Sequence, residues 1–335
     1  MTAGTLPSDC SGGHRKPLQN IGFVDFRPLA VRLGPSLLRR RLHAQANLRA
    51  RLVHQGEGPL AVERVVPVDR LITRILAVTG FADRGRANCL DIRTVTRDQP
   101  LANLPSAFDG FRLLQISDIH LDCVAGLADR LIDLIAGTPH DLAVITGDFA
   151  DHAAGYFHDC LDDIRRLGRA LGPGTLAILG NHDILEIVPH LETAGLRVLL
   201  NENTAIARDG QQLWFAGIDD PHFYRTHDFE AARRGIPQGA CSILLAHSPE
   251  VYDEARHYGF NLMLSGHTHG GQICLPGGVA LVRNGRCPAA QFVGPWTHHG
   301  LHGYTAPGTG SCGVPARFNC PPEITVHVLR AALMR

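Results

Sequence analysis

A layered α/β architecture is predicted by two patterns in this chain. From residue 111 onward, short aliphatic runs of strand length alternate with segments whose apolar residues recur at helical spacing. Five strand-like runs are also followed directly by side chains able to bind metal.

The elements follow in order. Residues 1–30 contain Gly, Pro and Ser without periodicity and are expected to be disordered. Residues 31–54 read as a helix, since Leu37, Leu38, Leu42, Ala46, Leu48 and Leu52 fall near one side. Arg39, Arg40, Arg41, Arg49 and Arg51 lie mostly off it. A second helix is predicted over Val68–Val78 from Leu71, Ile72, Ile75 and Leu76. Residues 31–89 thus form a basic helical extension to a domain spanning 90–335. One reading packs these helices on that domain; another lays the first on an anionic membrane surface, peripheral to the inner membrane.

Strands are predicted at Leu90–Val95, Phe111–Ile116, Leu142–Ile145, Leu176–Leu179, Arg197–Leu200, Leu213–Ala216, Ser242–Ala246 and Asn261–Leu264. Helices are predicted at Leu127–Ala136, Phe157–Leu171, Ile187–Ala194, Phe229–Arg234 and Pro249–Tyr258. After Leu275 the abundance of Gly, Pro and His predicts long loops until a last strand at Ile324–Leu329.

Composition narrows the class. The 335 residues suffice for one large domain with an appendage, and 44% hydrophobic with 19% charged residues is a globular balance. No run approaches the ~20 apolar residues of a membrane span. Met1–Gly34 holds no apolar signal-peptide core, and polar His43, Gln45 and Asn47 follow Arg39-Arg40-Arg41 where a twin-arginine leader would be hydrophobic. A cytoplasmic location is expected. Nine cysteines without a Cys-x-x-Cys pair argue against a zinc ribbon or a redox dithiol and for a reducing compartment. Charge is uneven: residues 1–110 carry 16 Lys/Arg against 9 Asp/Glu (+7), and residues 111–335 carry 16 against 23 (−7). No basic surface interleaved with aromatics accompanies this, so specific nucleic-acid binding is not indicated.

The metal-binding side chains lie in Ser117-Asp118-Ile119-His120, Gly147-Asp148, Gly180-Asn181-His182-Asp183, Ala246-His247-Ser248 and Gly266-His267-Thr268-His269. One Asp-x-His would mean little; five such segments in order, each behind a strand-like run, are the donor set of a two-metal hydrolytic site. An extended tip at His267-Thr268-His269 would place both imidazoles on one side. The set resembles the signature of the calcineurin-like metallophosphoesterases over roughly residues 110–275. Leu264–Ile273 with Leu275-Pro276, and Gly313–Arg317 with Pro322-Glu323-Ile324, resemble its bacterial YkuE-like branch.

That resemblance implies a four-layer sandwich, two mixed β-sheets with helices outside, and two divalent ions (manganese, iron, zinc, cobalt or magnesium) joined by a bridging carboxylate. By resemblance Asp148 bridges; Asp118, His120 and His269 complete one ion, and Asn181, His247 and His267 the other. A hydroxide held between the ions would attack a phosphodiester or pyrophosphate bond, on a lipid-linked or nucleotide-linked substrate. His182 would act at the scissile phosphate, with Asp183 fixing its ring. Arg317 is a candidate for pairing with substrate phosphate. Asp122 and Asp151 read as turn and loop residues; Cys274, His298, His299 and His302 carry no separate assignment. The same core would serve a phosphomonoesterase or protein phosphatase, and an inert scaffold would have lost ligands that this chain keeps.

Overall fold

The computed structural model describes residues 24–54, 68–151 and 156–332. Two six-stranded mixed sheets stack face to face with helices outside them. The first has the order β1 (Arg93–Leu101), β14 (Glu323–Ala331), β2 (Arg112–Ile116), β3 (Leu142–Thr146), β4 (Leu176–Ile178) and β5 (Arg197–Val198). The second runs β12 (Gly294–His298), β13 (Leu301–Thr305), β9 (Leu262–Ser265), β8 (Ser242–Leu245), β7 (Gln211–Gly217) and β6 (Glu202–Arg208). Strands β2 to β5 are parallel, as are β7, β8 and β9, so their carboxyl ends share one edge of each sheet. Loops that leave this edge have room to converge, because the strands stop before them.

Alternation along each strand builds the layers. Leu113 and Val144 point between the sheets with Phe215, Ile243 and Leu264, while Leu114 and Ile145 point outward. The outward face is covered by α5 (Leu127–Ala136), α6 (Leu161–Leu171) and α7 (Val188–Thr193), and α5 turns Leu127, Leu131 and Ile135 inward at helical spacing. On the other sheet α8 (Phe229–Arg233) and α9 (Tyr252–His257) cover Leu244 and Met263. The Asp228 carboxylate starts α8 by accepting from Ala231 N at 2.9 Å.

A polar network crosses the inner layer. The Gln99 amide donates to His327 Nδ1 at 3.0 Å, His327 Nε2 donates to Gln115 Oε1 at 2.9 Å, and Gln115 Nε2 donates to the Ser265 carbonyl of the opposite sheet at 2.9 Å. Every member is buried and bonded, which fixes how the sheets face each other.

The sequence expectation is corrected in several places. Residues 1–23 lie outside the described residues, but Arg27–Leu33 forms helix α1, overlapping the stretch read as disordered. Leu90 closes a helix, α4 (Ala82–Leu90), and the strand read at Leu90–Val95 instead runs Arg93–Leu101. Strand β6 was not predicted. The long loop expected after Leu275 contains β11 (Val279–Ala280), which pairs antiparallel with β10 (Cys274–Leu275) just before it, and the antiparallel pair of β12 with β13. Its composition disguised them for a physical reason. Pro295 is tolerated because β12 is an edge strand. Gly303 is required because a Cβ there would stand 2.1 Å from the Trp296 ring that covers it.

Helix α2 (Pro35–His54) packs on the domain through a charged residue. Arg41, read as lying off the apolar side, is fully buried. Its Nε meets Asp219 Oδ2 at 3.1 Å, Nη1 donates to Gln45 Oε1 at 3.0 Å, Nη2 donates to the Asp183 carbonyl at 2.9 Å, and its guanidinium lies 3.2 Å over the Tyr224 ring. Arg32 is likewise held between Glu192 and Glu202, each at 2.8 Å. These two arginines are therefore spent inside the fold, while Arg39 and Arg40 remain exposed.

Two predictions follow from these buried groups. Arg41→Ala strands Asp219 in the interior and is expected to cost about 3–5 kcal/mol in urea denaturation, whereas Arg40→Gln should stay within about 0.5 kcal/mol. His327 gives a pH signature. Burial is the main cause that pulls its pKa from 6.5 down to about 3, so the neutral ring is the folded form. Stability from this residue is complete above pH 6.5 and is lost as pH falls toward 3, at up to ~1.4 kcal/mol per pH unit. His327→Gln should flatten the fall in unfolding free energy across that window; an unchanged slope would count against it.

Candidate metal centre

All five motif segments emerge at the carboxyl ends of strands and meet between the two sheets. Asp118 and His120 follow β2, Asp148 follows β3, Asn181 follows β4, His247 follows β8, and His267 and His269 follow β9. Meeting this closely imposes conditions on the backbone. A Cβ on Gly180 would lie 2.1 Å from Asp148 Oδ1, and one on Gly266 would lie 1.8 Å from Ser117 Oγ, so neither position admits a side chain. Asp118, His120, Asp148, His267 and His269 all take positive φ, between 44° and 68°. Such conformations cost roughly 1 kcal/mol or more each for non-glycine residues and persist where surrounding structure enforces them. The His267-Thr268-His269 tip is therefore not extended as its spacing suggested. Two left-handed residues flank Thr268 at φ −77°, and this turn makes the rings converge.

Four groups of candidate donors form among the described residues, and two of them are built from the motif side chains alone. In the first, His120 Nε2 and His269 Nε2 are 3.2 Å apart and Asp118 Oδ1 is 3.6 Å from His269 Nε2. In the second, Asp148, His247 and His267 come together, with Asn181 Oδ1 3.0 Å from His247 Nε2. One atom of the second group also lies near the first: Asp148 Oδ2 is 3.7 Å from His120 Nε2 and 3.1 Å from His247 Nε2. The other oxygen, Oδ1, accepts from His182 N at 2.9 Å, which leaves Oδ2 facing the centre.

Supporting contacts aim the donors. The Thr146 carbonyl accepts from His247 Nδ1 at 2.8 Å, so Nε2 is the free nitrogen. Asp118 accepts from His267 N at 2.9 Å and from Ser117 Oγ at 2.5 Å. Asp183 clamps the loops by accepting from Asp148 N, Phe149 N and Gly180 N at 2.8, 2.9 and 2.8 Å. It does not hold the His182 ring. That ring is fixed by the Asp151 carbonyl, which accepts from His182 Nδ1 at 2.6 Å, and Cys312 Sγ lies 3.6 Å from Nε2.

Arg317 also differs from its expected place. It is fully buried behind His269, 3.2 Å from Nδ1, and its donors go to the carbonyls of Pro307, Gly310 and Cys320. It braces the last long loop and presents no guanidinium to a substrate. Asp151 is the residue that spacing undervalued. Its carboxylate lies 3.5 Å from His120 Nδ1 and accepts from Gly313 N at 3.2 Å, tying that loop to the site. Position three residues after Asp148 was its only signal.

The electrostatics suit cations. Burial pushes Asp118 up, and burial alone would do the same to Asp148, but the His247 and His182 charges outweigh it and hold Asp148 well below the carboxylate range. His247 shows the reverse: burial opposes its charge, yet chiefly Asp148 raises it to about 10. Asp148 Oδ2 and His247 Nε2 thus face each other, 3.1 Å apart, where a cation would lie. Burial holds His120, His267 and His269 neutral, the form in which imidazole is a ligand. His267 Nε2 is buried without a partner, an arrangement that a bound ion explains. The donors, nitrogen and oxygen only, fit a divalent metal.

Comparison with known proteins agrees with this geometry. Residues 111–271 match the model of the calcineurin-like phosphoesterase family. The uncharacterized metallophosphoesterase YkuE of Bacillus subtilis is 33% identical over 76% of this chain and 92% of its own length. YkoQ of the same organism, another uncharacterized metallophosphoesterase, is 29% identical over 76% of this chain and 96% of its own. The phosphodiesterase YaeI of Escherichia coli is 30% identical over 64% of this chain and 81% of its own. With its strand-end donors, its two stacked sheets and a relative matched along nearly its whole length, this chain belongs to the calcineurin-like phosphoesterase family, in its YkuE-like branch, and is a metal-dependent phosphoric ester hydrolase.

Proposed function

We propose that the chain hydrolyses a phosphodiester or pyrophosphate bond at a pair of divalent cations. The observation that carries the pairing is Asp148 Oδ2, which faces both donor groups at once. Asp118, His120, Asp148 and His269 would hold one cation, and Asp148, Asn181, His247 and His267 the other. When bound, the ions would neutralise phosphate charge and activate water near neutral pH.

The remaining work falls to this chain's own residues. The Asp151 carbonyl can only accept, so His182 Nδ1 must carry a hydrogen and Nε2 is left to serve the substrate. Burial lowers the affinity of His182 for a second proton, but Asp148 and Asp151 outweigh that effect and raise its pKa. His182 is thereby suited to give a proton from Nε2 to the departing oxygen. Asp183 and Asp151 act as positioning residues, the first for the Asp148 and Asn181 loops, the second for His182 and His120.

A diester is favoured over a monoester by charge. Among the described residues lining the cleft beside these ligands there is no Lys or Arg, so it offers little to hold the extra charge of a monoester dianion. The phosphodiesterase YaeI among the relatives points the same way. Free cysteines throughout the described residues support a reducing, cytoplasmic setting. No described helix is long and apolar enough to cross a membrane.

The metal-reconstituted protein should cleave bis-p-nitrophenyl phosphate with a higher kcat/KM than p-nitrophenyl phosphate; the opposite order would favour a phosphomonoesterase. Asp148→Asn should lose more metal than substitution of Asp118 or His267, since it serves both ions, and elemental analysis finding two tightly held ions per chain would exclude the bridge. His182→Ala should keep its metal and lose ~10²–10⁴ in kcat. That loss should be smaller on substrates with good leaving groups; a uniform loss would assign His182 to charge stabilisation.

A further inference from the structure

The donor cluster opens into a cavity of about 520 Å3, within the range of about 300–1,000 Å3 that encloses most of a small organic ligand. Its two walls differ in chemistry. One presents Asp148, His182, His267 and His269; the other is aliphatic, with Ile72, Ile75 and Leu76 of α3 (Val68–Val78) facing Leu281 and Val282 beyond the β10–β11 hairpin. Gln272, Asn284 and Thr268 are the neutral polar residues between them.

The aliphatic wall is costly as it stands. Ile75 is 51% exposed, Leu281 57% and Val282 55%. No described side chain of α3 belongs to any of the three apolar cores, although the helix carries an apolar stripe. An amphipathic helix normally buries that stripe against the protein. Here the stripe is turned toward the mouth of the metal centre and meets a second exposed aliphatic segment there. A contiguous apolar surface of this kind marks a binding site.

What it binds is constrained by the opposite wall. An occupant that reaches both walls must place a phosphate at the donor cluster and an uncharged, apolar body against Ile75 and Leu281. A nucleotide fits poorly, because its further phosphates would meet no Lys or Arg among the described lining residues and its base no Phe, Tyr or Trp there. A flexible hydrocarbon needs neither. Resting on the phosphodiesterase reading above, we propose that the substrate is a phosphoester one of whose esterified groups is an alkyl or acyl chain, seated between α3 and the segment after β11.

The test uses the metal-loaded full chain and separates binding from hydrolysis. Methyl, butyl and octyl phosphate are titrated by calorimetry below the octyl compound's aggregation concentration. Affinity should rise with chain length, octyl exceeding methyl by about tenfold or more. In Ile75→Glu/Leu281→Glu, both sites being half exposed, the octyl-to-methyl ratio should collapse toward one. Equal affinity for all three phosphates overturns the proposal, and so does a chain-length ratio that the double variant leaves unchanged. In parallel, methyl and octyl p-nitrophenyl phosphodiesters, which share a leaving group, are compared by kcat/KM. Hydrolysis of both at the same kcat/KM sinks the chain pocket and leaves the phosphodiesterase reading intact. Tight binding of octyl phosphate with no hydrolysis of either diester does the reverse.

Discussion

Five loops from two sheets have to meet around a single carboxylate oxygen, and much of the molecule is arranged to make that meeting possible. Burying carboxylates and imidazoles strips them of water, and like charges among them repel, so their gathering is unfavourable unless charges balance. Asp148 stays ionised because His247 and His182 balance it, and the three remaining imidazoles stay neutral because burial penalises their charge. The backbone bears a second cost in five left-handed residues of the donor cluster. Parallel strands ending along a common edge let the sheets absorb it, since each loop is anchored at a buried strand end.

The support around the site is graded. Asp183 ties three amides of two loops together, and the Arg41 guanidinium in turn donates to the Asp183 carbonyl. On the opposite side Arg317 binds the carbonyls of the 307–320 loop behind His269, and Asp151 accepts from Gly313 in the same loop. Arg41 does not touch the donor cluster, and Arg317 meets it only from behind, at His269 Nδ1. Both replace water for carbonyls that no strand would satisfy, which long irregular loops beside a metal centre require.

The donor residues were legible because metal chemistry restricts them to few residue types at strand ends, and the motif glycines because nothing larger fits beside Asp148 or Ser117. What could not be read depended on contacts far apart in sequence. Arg41 resembled any surface arginine of a basic helix, and distant partners such as Asp219, 178 positions later, explain its burial. Arg317 resembled a phosphate ligand, since a guanidinium that binds carbonyls and one that binds phosphate look alike in a sequence. The β12–β13 hairpin was hidden by Pro295 and Gly303, each poor in a strand in general and suited to an edge and to a covering Trp296 here.

The helical extension illustrates how position changes the meaning of composition. Its arginines suggested an electrostatic footprint, yet Arg32 and Arg41 are consumed by acidic partners within the fold. Its hydrophobic residues suggested simple packing, yet the exposed apolar side chains of α3 stand over the mouth of the metal centre. One helix thus steadies the catalytic loops from behind while another shapes the approach from in front. Charge in α2 contributes rigidity, and hydrophobicity in α3 contributes a surface for substrate, the reverse of the roles that their compositions suggest in isolation.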